Sequence, residues 1–312
     1  MLLVNNPGTW SAIYWPLEHA EWHGWTPTDL IFPFFLFIVG ITTELSRKDV
    51  KGILRRGGLI ILCGLLLNLF PYFHFDTLRW TGVLQRIGVV YIVAALIAMR
   101  ASRRTILIIS VALLLGYWAI LTRGPLQPPD ATIAAQVDRA VIPMAHMWKQ
   151  SKTWDPEGVL STIPAIVTAL LGILIAPWVK AKDIKRLVMV GAIAIVIGLA
   201  WGLVFPINKN LWTSSYVIFT AGCASVILGL WIWKLPAKPF NVFGLNPLIA
   251  FVGSGAMARI LGITKWGAWS YRTFYKPYFD PKLASLLWAL TFVLFWYGVL
   301  WLLDRKRIYL RV

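Results

Sequence analysis

Apolar residues along this chain are gathered into long blocks instead of alternating with polar ones. Blocks of 17 to 23 residues can be read over 27–46, 53–70, 81–99, 105–121, 159–179, 187–206, 211–233, 240–262 and 283–303. A helix needs about 20 apolar residues to cross a hydrocarbon core about 30 Å thick, whereas a membrane barrel would show shorter, alternating segments. The pattern predicts an all-α, polytopic integral membrane bundle with nine full spans. The chain opens MLLVNNPG, only four residues ahead of its first polar pair, which reads as the tail of a truncated first span and not as a cleavable signal peptide. With no internal repeat and no low-complexity tract, 1–312 is expected to be a single transmembrane domain.

Composition agrees: 58% of residues are hydrophobic and mean hydropathy is +0.69, too apolar for a soluble domain of this length. The net charge of +17 could suggest a nucleic-acid partner, but the positions of the cations exclude that reading. Arg47, Lys48, Lys51, Arg55 and Arg56 form one cluster, followed by Arg100, Arg103 and Arg104, then Lys180, Lys182, Lys185 and Arg186. Lys234 and Lys238 come next, and Arg305, Lys306, Arg307 and Arg311 close the chain, making 18 of the 30 basic residues in alternate joints and the tail. The positive-inside rule places these segments in the cytoplasm. The opening loop and 71–80, 122–158, 208–210 and 263–282 are rich in Trp and Tyr, and they fall outside. The prediction is a cytoplasmic C-terminus and a periplasmic His19. Cys63 and Cys223 lie inside apolar blocks, so no structural disulfide is expected. The long segment 122–158, with a weakly amphipathic stretch around 131–148, is either a lid on the outer face or a passive spacer.

Ionisable and polar groups inside or at the mouths of spans are expensive there and mark function by default. Asp29, Gln85, Arg86 and Arg259 are such groups, as are Asp155 and Glu157 before the 159–179 block and Asn208, Lys209 and Asn210 before the 211–233 block. Asn246, in GLNP, lies deeper; the others share a depth near the outer ends of their helices and could converge with His19. Structural roles compete with that reading. Asp29 suits a helix N-cap or a pair with Arg86, and Asp155 before Pro156 suits an N-cap with Glu157 in the first turn. Lys209 could snorkel to the interface. Trp22, Trp25, Trp80, Trp154 and Trp212 fit an aromatic belt better than a sugar platform. His19 and His23, four residues apart beside Glu18 and Glu21, could hold a metal, but no HExxH motif surrounds them. A metal-free catalytic histidine is the preferred reading, since imidazole titrates near neutrality and suits base or nucleophilic work.

Several blocks, in order, carry a resemblance: VNNPGTW, LEHAEWHGWTPTDLIFPFFLFIVG, RWTGVLQRIGVVY, WDPEGVLSTIPAI, NKNLWTSSYV and FNVFGLNPLIAFV. The chain resembles the transmembrane N-acetyltransferases typified by heparan-alpha-glucosaminide N-acetyltransferase, as a bacterial member. The resemblance implies an inner-membrane enzyme that takes acetyl from cytoplasmic acetyl-CoA and delivers it to the amine of an outward-facing glucosamine-type sugar. It implies that the histidine of LEHAEW, His19, is catalytic as base or acetyl carrier, and that Asn5 is its active-site partner. The amide of Asn5 could then stabilise the oxyanion of the thioester. Arg86, Lys209 and Arg259 are candidates for CoA phosphates or a sugar network, with Arg47, Arg55, Arg56 and Arg103 as the alternative at the cytoplasmic rim. Ten spans are expected of the intact family fold, and here only MLLV stands in place of the first. A homodimer is the expected assembly. A sugar or lipid-linked-sugar transporter, and an O-acyltransferase of an envelope polysaccharide, are the competing functions.

Overall fold

A computed structural model describes residues 1–46, 48–234 and 238–310. Arg47 and Arg311, counted above among the cytoplasmic cations, lie outside the described residues. Twelve α-helices are formed among those described, with no strand: α1 Ile31–Leu45, α2 Val50–Leu69, α3 Val83–Arg100, α4 Arg103–Leu121, α5 Ile133–Val141 and α6 Val159–Lys180, then α7 Ile184–Gly202, α8 Ser214–Lys234, α9 Lys238–Leu245, α10 Pro247–Ile263, α11 Trp266–Phe274 and α12 Pro281–Arg305.

The polar joints start these helices by capping them. Asp49, Ser102, Asp183 and Asp280 each accept a hydrogen bond from a backbone N–H in the following first turn, at 3.0–3.1 Å. Such caps satisfy donors that a helix start would otherwise leave orphaned. Short joints such as Ala101–Ser102 send successive helices back across the bundle.

At the centre is α6, whose Ala165, Val167, Ala169 and Leu170 are fully buried and which is packed by α1, α3, α4 and α8. Glycine allows the closest of these approaches. A Cβ on Gly40 of α1 would lie 1.9 Å from the Ala169 carbonyl oxygen, and one on Gly172 of α6 would lie 2.1 Å from that of Phe37. Small residues let membrane helices gain van der Waals contact where apolar burial alone gives no preference for helix over lipid.

Among the described residues, seven helices are long and apolar enough to span a membrane: α1 extended by its 3-10 turn at Pro27–Leu30, then α3, α4, α6, α7, α8 and α12. α10 and α11, bent by 81°, make an eighth if they are one span. The count therefore differs from the nine spans expected. The difference falls at α2, which opens with Lys51, Arg55 and Arg56, and at the 240–262 block, which is two helices. Pro247 lacks an N–H and disfavours helical geometry in the residue before it, and Asn246 accordingly adopts φ −132°, ψ 55°. The opening residues make one turn, with Asn5 N–H donating to Met1 O at 3.0 Å, where the end of a helix was expected.

Candidate functional site

The segments that the charge pattern assigns to one face meet there around a cavity of about 440 Å³. Its walls include His19, Glu21 and Trp22 from the opening loop, Asp29 and Phe32 at the start of α1, and Arg79 and Val83 at the entry to α3. Trp148, Trp154 and Glu157 come from the long segment, Lys209 and Asn210 from the loop before α8, and Phe251 from α10.

His19 and Asp29 are its polar centre. Thr26 and Asp29 form a capping box, in which Thr26 N–H donates to Asp29 Oδ2 at 3.1 Å. The same oxygen accepts from Ala20 N–H at 3.0 Å, so the turn brings the histidine's own neighbour onto the carboxylate. Asp29 Oδ1 then lies 2.7 Å from His19 Nδ1, and Asp29 is 1% exposed while the imidazole is 43% exposed. The carboxylate is buried behind the ring and the ring faces the cavity. Tyr216 of α8 donates to the Asp29 carbonyl from below.

Lys209 Nζ completes the cluster, 3.4 Å from Asp29 Oδ1 and 3.0 and 3.4 Å from the two ring nitrogens of His19. Nδ1 cannot donate to Asp29 and accept from Lys209 together. The shorter contact, to a buried anion, assigns the Nδ1 proton to Asp29 and leaves the Nε2 lone pair to accept. Burial pushes the Lys209 pKa down, opposed by the charges of Asp29 and Glu157. It does not snorkel away from the protein but points into it.

Across the cavity, Arg79 Nε donates to Asp155 Oδ2 at 2.9 Å, and Nη2 bonds both Asp155 and Glu157. Burial alone would lower the Arg79 pKa, and its two carboxylate partners overcome that and raise it. Asp155 also accepts from Thr81 Oγ1, Trp148 N–H and Glu157 N–H, so one fully buried carboxylate ties the loop before α3 to the 122–158 segment. The guanidinium sits 6.0 Å from the Trp148 ring, and Trp148, Trp154 and Trp22 follow edge to face at 5.4 and 5.3 Å. Trp22 and Trp154 thus line the cavity instead of a lipid belt, and the 122–158 segment is a wall of the site, neither a detached lid nor a spacer.

Other expectations are corrected. Asp29 does not meet Arg86: the Arg86 side chain donates to Gly158 O at 3.1 Å and to Ser161, and lies over the Trp212 ring at 5.1 Å. Arg86 lines neither the first cavity nor the second described below; it locks α3 to the start of α6. Asp155 does not cap α6. Gly158 is the N-cap residue and Asp138 of α5 accepts the Val159 N–H at 2.8 Å. Asn208 is buried behind the site, where Oδ1 accepts from Leu211 N–H at 2.8 Å and Nδ2 lies 3.3 Å from His23 Nδ1; neither Asn208 nor His23 lines the cavity. Asn246 is remote from the site: it donates to Ile308 O and accepts from Leu310 N–H, both at 3.0 Å, anchoring the C-terminal segment.

Sequence reasoning missed Arg79, Trp148 and Asp138. The signal for Arg79 was present, since two carboxylates as close as Asp155 and Glu157 need a nearby cation once buried. Asn5 is exposed to the cavity and lines it together with a second one of about 640 Å³, which includes Gln85 and Arg259.

Bundle and site together define a polytopic membrane protein that keeps a carboxylate-backed histidine in a loop-walled chamber. The chain belongs to the family described as heparan-alpha-glucosaminide N-acetyltransferase, catalytic, whose model matches residues 11–182. Among curated proteins it is similar to human heparan-alpha-glucosaminide N-acetyltransferase, 26% identical over an alignment of 401 positions that covers 100% of this chain and 58% of the relative. The mouse protein of the same name is 27% identical over 389 positions, covering 96% of this chain and 58% of the relative. The chain thus spans about 58% of the length of the curated relatives it matches.

Proposed function

We propose that this protein transfers acetyl from acetyl-CoA to the amine of a glucosamine-type sugar, with His19 as the group that handles the proton. The observation that carries the reading is the Asp29 carboxylate, 1% exposed, at 2.7 Å from His19 Nδ1. A buried acid in that position fixes the tautomer and orientation of an imidazole and stabilises it once protonated.

The amine nitrogen attacks the thioester carbon, and its proton passes to His19 Nε2. The carbon–sulfur bond breaks, and the proton is returned to the leaving thiolate, giving the N-acetyl sugar and free CoA. Asn5, at the rim shared by the two cavities, supplies amide N–H groups for the oxyanion. Glu21 and Glu157 give the chamber acidic walls suited to an amino sugar, and Trp22 and Trp154 offer faces for its ring. The family membership and the names of the relatives support the acetyl donor and the sugar amine as the substrate pair. The cation-rich joints support an orientation with those joints in the cytoplasm and His19 in the periplasm of a bacterial inner membrane.

The test uses the purified full chain in detergent, with acetyl-CoA and glucosamine, and follows free CoA. Acceptor-dependent release that His19→Ala abolishes is expected. Equal release by wild type and His19→Ala overturns the proposal, and release with a hydroxyl acceptor but not an amine replaces it with O-acyl transfer. A burst of CoA without acceptor would place the acetyl group on Nε2 itself, as carrier.

A further inference from the structure

The charges around His19 are unequally matched. Glu21, Asp29 and Glu157 line the chamber against Arg79 and Lys209, and Asp155 lies directly behind Arg79. Four carboxylates thus stand against two cations, an excess of two negative charges while the imidazole is neutral.

Both cations are already engaged. Arg79 Nη2 is shared by Asp155 and Glu157, and Nε donates to Asp155 at 2.9 Å. Lys209 Nζ lies 3.0 and 3.4 Å from the two ring nitrogens of His19 and 3.4 Å from Asp29 Oδ1. In the plane of the ring, a point that close to both nitrogens would collide with the carbon between them. The ammonium therefore lies over the imidazole face, beside the carboxylate that neutralises it. Neither cation offers an unmatched charge to an acid group entering the chamber.

The carboxylates are not equivalent. Asp29 is held by His19 and Lys209, and Glu157 by Arg79. The side chain of Glu21 is exposed and, among the described residues, has no hydrogen bond or ion pair. Trp22 follows it in the chain and meets Trp154 edge to face at 5.3 Å, so an apolar surface adjoins the unpaired charge. Charge on a ligand counts for more here than in water. Two charges 4 Å apart interact about fourfold more strongly at the effective dielectric of a protein surface than in bulk solvent.

We propose that the chamber admits an amino sugar that carries no phosphate, sulfate or carboxylate on the ring that enters it, with Glu21 as the specificity determinant that receives its ammonium. The assignment rests on the acetyl-transfer reading for its choice of an amino sugar, and adds which class of amino sugar is accepted. The ring covers Trp22 and Trp154, and an acid group on that ring meets Glu21 or Glu157 with no free cation to offset the repulsion. Glu21 decides which sugar binds and takes no part in proton transfer.

Titration of the full chain in detergent with glucosamine, and separately with glucosamine 6-phosphate, tests this without turnover. Wild type is expected to bind glucosamine about tenfold more tightly than the phosphate. Glu21→Gln is expected to narrow that ratio about threefold, and Glu21→Lys about tenfold. Glu18→Gln, on the same loop but outside the chamber, is expected to hold the wild-type ratio within about twofold. Equal affinity of wild type for the two sugars overturns the assignment, as does a ratio that Glu21→Lys leaves unchanged, or no binding of either sugar. Acetyl transfer at equal rates to both sugars would sink the selectivity and leave the proposed function standing. Selective binding of glucosamine without acetyl transfer would do the reverse.

Discussion

His19 and Asp29 are ten residues apart in the chain, and the 2.7 Å contact between Nδ1 and Oδ1 closes that interval into a compact loop at the mouth of α1. The other carboxylate oxygen is held by the backbone N–H groups of Ala20 and Thr26. The arrangement therefore fixes the acid first and the imidazole through it.

Those backbone bonds dictate what Asp29→Asn does. Ala20 and Thr26 require an acceptor at Oδ2, so the asparagine turns its NH2 toward His19. Nδ1 then has to accept, Nε2 carries the hydrogen, and the lone pair needed for proton removal is lost. The expected result is a fall in kcat of about three to four orders of magnitude with KM little changed. Steady-state kinetics on the folded variant check this. A KM effect without a kcat effect would mean that Asp29 serves binding only.

Arg79 makes a second prediction, about stability. The side chain of Asp155 is fully buried, so removing its cation leaves an uncompensated charge. Arg79→Met is expected to cost about 3–5 kcal/mol. Arg79→Lys keeps the charge but has no planar fork to reach Asp155 and Glu157 together, and falls between. Thermal unfolding in detergent, followed by tryptophan fluorescence, should rank wild type above Lys and Lys above Met. A Lys variant as stable as wild type would remove the fork from the explanation.

Most of the long helices were legible because they lie in apolar blocks, several opened by a capping residue, as at Asp49, Ser102 and Asp183. Of the polar residues that share a depth in the sequence, Asp29, Glu157, Lys209 and Asn210 line the cavity with His19, whereas Asp155, Gln85, Arg86, Asn208 and Arg259 do not. Pairing within that set was not legible. Asp155 has the sequence of a cap, but Asp138, 21 residues before Val159, occupies the place, because α5 folds back over the start of α6. Asn246 and Arg86 satisfy every sequence criterion for a functional polar group in a span, yet they tie structural elements together. A polar residue at membrane depth needs partners, and sequence alone does not say whether they are protein or substrate.

Asp138 also gives the site a pH dependence. It is 2% exposed, and burial raises its pKa to about 6 against the opposing pull of the Val159 and Asp155 N–H groups. The folded value lies above the unfolded one of about 3.9, so the folded state binds the proton more tightly. Its contribution is fully present below about pH 4 and is lost as pH rises through 6. Thermal unfolding in detergent is expected to move to lower temperature between pH 5 and pH 8. Asp138→Asn should flatten that difference, and an unchanged slope in this variant would assign it to another group.

The closest approach in the bundle supports the last prediction. α1 carries His19's partner Asp29 at its mouth, and it is held to α6 by the reciprocal contacts of Gly40 with the Ala169 carbonyl and of Gly172 with that of Phe37. At 1.9 and 2.1 Å, a methyl group has no room against either backbone, and the helices must separate to admit one. Separation exposes a seam of small residues with nothing to fill it, and the start of α1 shifts relative to Lys209 and Glu157. Gly40→Ala is therefore expected to reduce the yield of folded protein and Gly40→Val to abolish it. Gly58 of α2 is the matched control, since a Cβ there meets nothing within 4 Å, and Gly58→Ala should leave yield unchanged. Size-exclusion profiles of the three variants against wild type read the outcome directly. A monodisperse Gly40→Val protein with normal yield would show that the α1–α6 crossing tolerates separation, and would remove it as the element that positions Asp29.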